Sequence, residues 1–128
     1  MNNNQYVGHI YHSIIPYFDK RKRKMSTKGR PVLILKSEND IGDSDFLCLP
    51  VSKVSVKKNL NPYYDVEINN QKYSDLTLKE PISYIRCHKC FTLNKKEIRF
   101  DRCFGNVMQY TELYTSIIEK VKAFINDL

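Results

Sequence analysis

Val32-Leu33-Ile34-Leu35 is an uninterrupted aliphatic run, entered through Gly29-Arg30-Pro31 and left through an acidic, turn-rich segment. Being apolar at consecutive positions, it offers both faces of a strand for burial, which suits the middle of a sheet. Shorter β-prone stretches flank it. Tyr6 to Tyr11 reads as a first strand, and Ile14 to Phe18 extends it until Pro16 interrupts the ladder. Glu38 to Asp45 holds four acids and Gly42, and predicts a turn. Phe46 to Leu49 and Val51 to Val54 form the return strand of an antiparallel meander. Tyr64-Asp65-Val66-Glu67-Ile68 alternates as a half-buried strand does, and Ile82 to Cys87 reads as another. Ser74 to Lys79 fits a short helical turn or an edge strand.

The C-terminal segment changes period. Leu113, Ile117, Val121, Phe124 and Leu128 recur at spacings of four, four, three and four, one face of an amphipathic helix. Ile118 and Ile125 widen the stripe, so the helix is expected to pack on the sheet or at a subunit contact. With 128 residues, 41% of them hydrophobic, the chain suits one domain with one modest core. Short strands followed by one helix predict an α+β fold spanning residues 1–128, built on a small antiparallel barrel.

The charge is uneven. The net charge is +7, and seven of the eleven residues from Lys20 to Arg30 are basic. Clustered cations point to a phosphate-rich partner, most simply nucleic acid. The segment from Asp19 to Gly29 is expected to be a flexible cationic loop, with Lys24 and Lys28 attracting the backbone of a polyanion. Arg30 differs, because Pro31 and the strand behind it anchor it at the loop's root. Its planar fork can bind two phosphate oxygens. Met1 to Gln5 lacks a basic stretch followed by an apolar one, and no apolar run approaches the ~20 residues that span a bilayer. A cytoplasmic location, with all four cysteines reduced, is therefore expected.

Four segments occur together in a recognisable order: Gly8-His9-Ile10-Tyr11, Gly29-Arg30-Pro31-Val32-Leu33-Ile34, Leu49-Pro50-Val51-Ser52 and Ile85-Arg86-Cys87-His88-Lys89-Cys90-Phe91-Thr92. With the Asp65 to Ile68 strand, they resemble the MazF/PemK toxin family across nearly the whole chain. The resemblance implies an SH3-like barrel, a homodimer, and metal-independent, sequence-specific cleavage of single-stranded RNA. It also implies inhibition by a cognate antitoxin protein that covers the RNA groove.

Residue by residue, the resemblance maps a phosphate-binding arginine onto Arg30, a strand-ending hydroxyl onto Ser52, a second arginine onto Arg86 and a terminal threonine onto Thr92. The sequence departs from the PemK-like pattern where His88 replaces an aspartate and Phe91 replaces an arginine. Arg30, Ser52, Arg86 and His88 are the candidate catalytic residues, and Lys24, Lys28, Lys53 and Thr92 the candidate RNA-binding ones.

Metal-free RNA cleavage uses the substrate's own 2′-hydroxyl as nucleophile. It needs a base for that proton, an acid for the leaving 5′-oxygen and cations for the phosphorane. Arg86 and His88 stand two apart on an expected strand and would share a face, with the arginine keeping the imidazole neutral. His9 and His12 lie on or beside the first strand, and His12 could face the same groove. Phe91 and Tyr17 are candidates for stacking on unstacked bases.

Cys87-x-x-Cys90, with His88 inside it and Cys103 downstream, has part of a zinc pattern but lacks a second pair, and no metal or other cofactor is expected. Two other functions compete with cleavage: a barrel that grips RNA or protein without cutting, and a gyrase poison of the CcdB type. The second would not need the cationic segment or the paired arginines.

Overall fold

A computed structural model describes residues 2–128. The strands are β1 (His9–Asp19), β2 (Lys24–Ser37), β3 (Asp45–Ser52), β4 (Asp65–Asn69), β5 (Ile82–Arg86), β6 (Phe91–Asn94) and β7 (Ile98–Asn106), and the one α-helix among the described residues, α1, is Thr111–Asn126. They form a curled seven-stranded antiparallel sheet in the order β4-β5-β3-β2-β1-β7, with β6 also paired to β3. Register shifts along β1–β7 and at Leu35 of β2 bend the sheet towards a half-barrel. The α+β architecture with a terminal helix is the one expected.

The long central strand explains how both faces come to be covered. Leu33, Leu49, Val51, Val66, Ile68 and Ile85 face a main core that α1 closes with Leu113, Ile117 and Val121. Val32, Ile34, Phe46, Cys48, Leu93 and Ile98 face a second, smaller core on the other side. Of the expected helical stripe, Phe124 and Ile125 stay largely exposed, and Leu128 lies past the helix end.

Several expectations need correction. Residues Asn3–Tyr6 form a 3-10 turn, so β1 begins at His9. Pro16 does not interrupt the ladder: it pairs with Thr27 and the strand runs on to Asp19. Beyond Ser13, β1 has lost its β7 neighbour, and a residue without an N–H is tolerated on a free edge. The Asp19 to Gly29 segment is not a loop but most of a two-stranded arm, paired from Ile14 opposite Gly29 out to Asp19 opposite Lys24. Its tip is held by Asp19, whose Oδ1 accepts from the Arg21 and Lys22 amides at 2.9 and 3.2 Å. The return strand stops at Ser52 rather than Val54. Ser74 and Asp75 lie in a hydrogen-bonded turn, closed by the Leu76 amide on the Tyr73 carbonyl at 2.9 Å, and the chain to Lys79 is irregular rather than an edge strand.

Candidate active site

Alternation along the ladders distributes the candidate residues. Arg30 shares the face of Val32 and Ile34 on β2, and Ser52 shares the face of Cys48 and Pro50 on β3. Ser52 pairs with Tyr84, and Arg86 pairs with Asp65, so Tyr84, Arg86 and Asp65 lie on that face as well. Up the arm, Lys28 and Lys24 continue the column above Arg30, opposite Ile15 and Asp19, with exposed Tyr17 between them. Phe18 and Met25, 56% and 62% exposed, occupy the arm's other face. The cationic run is therefore sorted by strand geometry: one row faces the candidate site, while Lys20–Arg23 sits at the tip.

Arg30 takes part in none of the ion pairs among the described residues. The acidic turn of Glu38 to Asp45 does not engage it, and its charge remains available to an anion. Arg30 and Ser52 line one groove of about 480 Å³ that opens where β2 and β3 part. Lys53 lines the same groove and lies 3.7 Å from Glu80.

Arg86 and His88 belong to a second group. β5 ends at Arg86, so His88 stands in a turn rather than on a shared strand face. The two are joined instead by Asp65, whose side chain is 1% exposed. Its Oδ1 accepts from Arg86 Nε at 3.0 Å and its Oδ2 from Arg86 Nη2 at 3.2 Å and the Asn61 amide at 2.8 Å. A further bond runs from Arg86 Nη2 to the Asn59 carbonyl at 2.8 Å. His88 Nδ1 lies 3.7 Å from Asp65 Oδ1, is buried, and has no hydrogen-bond partner among the described residues. The ring lies near Tyr64 and Phe124, at 5.7 and 6.1 Å between centroids. Burial lowers the His88 pKa below its usual value; Asp65 opposes this, while Arg86 and Lys89 add to it. The imidazole is thus neutral near pH 7, with burial rather than the arginine as the main cause.

Asp65 is the functional candidate that sequence reasoning passed over. Its alternating strand was visible, but its pairing with a residue 21 positions away was not. His12 also lines the groove, its ring resting on Gly29. Thr92 lies elsewhere: it pairs with Leu47 in β6 and borders a separate pocket beside Lys36 and Asp45. Phe91 packs against the second core. Among the described residues, no three His, Cys, Asp or Glu side chains converge as metal ligands do, and all four cysteines are free thiols. Among the described residues, no helix is long and apolar enough to cross a membrane.

Compared with known families, residues 7–125 match the PemK-like, MazF-like toxins of type II toxin–antitoxin systems. The chain belongs to this family. The match takes in every strand and nearly all of α1. Comparison with curated proteins gives no match. As a PemK-like toxin, the chain carries its Arg30 and Ser52 on one sheet face, and His88, which stands where the resemblance expects an aspartate, lies 3.7 Å from Asp65.

Proposed function

We propose that this PemK-like toxin is an endoribonuclease that cleaves single-stranded RNA, mRNA included, without a metal and is held inactive by a cognate antitoxin protein. Arg30 carries the reading: within a toxin family, it is an arginine without a carboxylate partner, on the same sheet face as Ser52 and next to a row of lysines. In this scheme its guanidinium binds two oxygens of the scissile phosphate and stabilises the phosphorane. The Ser52 hydroxyl donates to a phosphate oxygen. Neutral His88 takes the 2′-hydroxyl proton, and Arg86, fixed by Asp65, adds positive charge. The leaving 5′-oxygen takes its proton from water in the open groove. The products are a 2′,3′-cyclic phosphate and a 5′-hydroxyl. Lys24, Lys28 and Lys53 hold the flanking backbone, and the protein acts in the cytoplasm as a homodimer.

One observation favours a second reading, a barrel that binds RNA without cutting it. Both Nε and Nη2 of Arg86 are already engaged, and His88 is packed against aromatic rings. Purified protein incubated with a long single-stranded RNA in EDTA distinguishes the two. Discrete fragments ending in cyclic phosphate are expected. Intact RNA that nevertheless shifts in a binding assay would leave only the binding function.

A further inference from the structure

We propose that Tyr84 supplies the proton that the leaving 5′-oxygen takes up, passing it through the intervening water. This deepens the ribonuclease reading and rests on it. His88 accounts for the proton removed from the 2′-hydroxyl, but the departing alkoxide is left with water alone. Unassisted water is a poor acid, with a pKa near ~15.7. A phenol, near ~10, is much the stronger acid and is still protonated at neutral pH.

Strand register puts Tyr84 where that proton is needed. On β5 it pairs with Ser52 of β3 on one side and with Glu67 of β4 on the other. Directly paired residues point their side chains to the same face. Ser52, Tyr84 and Glu67 therefore form a row across the sheet, on the face that carries Arg30. Arg30 stands one strand beyond Ser52, across the fork where β2 and β3 part. Neighbouring strands lie about 5 Å apart, so a phosphate held between Arg30 and Ser52 has the phenol beside it, within reach of one bridging water. Arg86 follows two residues along β5, about 7 Å away on the same face.

The side chain is open to a substrate. Tyr84 is half-buried and borders a groove of about 480 Å³ with Lys53 and Ile82. Lys53 also lines the groove of Arg30 and Ser52, which makes the two neighbours. Burial raises the Tyr84 pKa, and the charge of Glu67 and a hydrogen bond to it add to the shift. The phenol is therefore always loaded with its proton near pH 7. In the chain, Tyr84 and His88 flank Arg86. That order suits a displacement whose entering and leaving oxygens stand on opposite sides of phosphorus.

The step balances. The 2′-oxygen closes on phosphorus and gives its proton to His88. As the P–O5′ bond breaks, water gives a proton to O5′ and takes one from Tyr84 Oη. A Tyr84 phenolate and a protonated His88 remain, and solvent returns both to their starting forms.

The test pairs Tyr84→Phe with an RNA that carries sulfur in place of the leaving 5′-oxygen. A thiol has a pKa near ~8.5, so a thiolate departs without a proton and that linkage does not need the acid. In single-turnover assays, Tyr84→Phe should cut ordinary RNA about a hundredfold more slowly, as loss of a general acid does. It should cut the 5′-sulfur RNA at the wild-type rate. Thermal melting checks that the variant is folded. If it is not, 3-fluorotyrosine at position 84 serves: it lowers the phenol pKa and should move the alkaline limb of kcat/KM to lower pH. An unmoved limb overturns the proposal. Equal slowing on both RNAs would make Tyr84 a binding residue and also overturn it, as would full activity of Tyr84→Phe on ordinary RNA. These outcomes leave the ribonuclease reading standing. A wild type that cuts neither RNA overturns both.

Discussion

Asp65 holds Arg86 through two charge-assisted bonds, with their side chains only 1% and 17% exposed. Removing one partner of a buried pair strands the other, so Asp65→Ala should cost about 3 kcal/mol in urea unfolding. Arg30 has no such commitment. Arg30→Ala should change stability by less than about 0.5 kcal/mol. It should nevertheless slow RNA cleavage by roughly a hundredfold or more, as loss of a donor to a developing charge does. His88 has a depressed pKa, caused first by burial. The unfolded chain takes up that proton near ~6.5 and the folded chain only at lower pH, so this contribution to stability is complete above ~6.5 and falls as pH drops through it. His12 shifts in the same direction. Thermal melting from neutral to mildly acid pH should therefore decline, less steeply in His88→Gln. If His88 is the base, the acid limb of kcat/KM should have its midpoint below ~6.5.

At the scale of elements, the arm is where residue character misled. A dense run of like charges suggests a solvated loop, yet Ile14, Ile15, Tyr17 and Phe18 are strongly β-prone and lie opposite Gly29, Lys28, Ser26 and Met25. Asp19 supplies the turn. Pairing then decides which cations matter for the site. Lys24 and Lys28 share Arg30's face, and each phosphate they neutralise on a single strand contributes ~0.7 to the salt slope. Replacing both with serine should flatten the slope of log affinity against log salt by ~1.4, as anisotropy titrations over a salt series would record. An unchanged slope would remove these lysines from the RNA path.

For the whole molecule, the family reading expects two copies, so light scattering should give twice the 15.1 kDa chain mass. A single-chain mass for active protein would set the dimer aside. Most of the fold was legible because its signals are local: the aliphatic run of β2, the alternation in β4, the Gly42 turn and the stripe of α1 each lie within a few neighbouring residues. Arg30 and Ser52 could be picked out from their motifs by resemblance. Three things needed tertiary structure: the fork between β2 and β3, the seating of His12 on Gly29, and the joining of Arg86 and His88 through Asp65. Local pattern determines what each segment becomes, whereas a site depends on which segments pair and where their pairing stops. Those contacts join residues far apart in the chain, and their register is set only when the two cores pack.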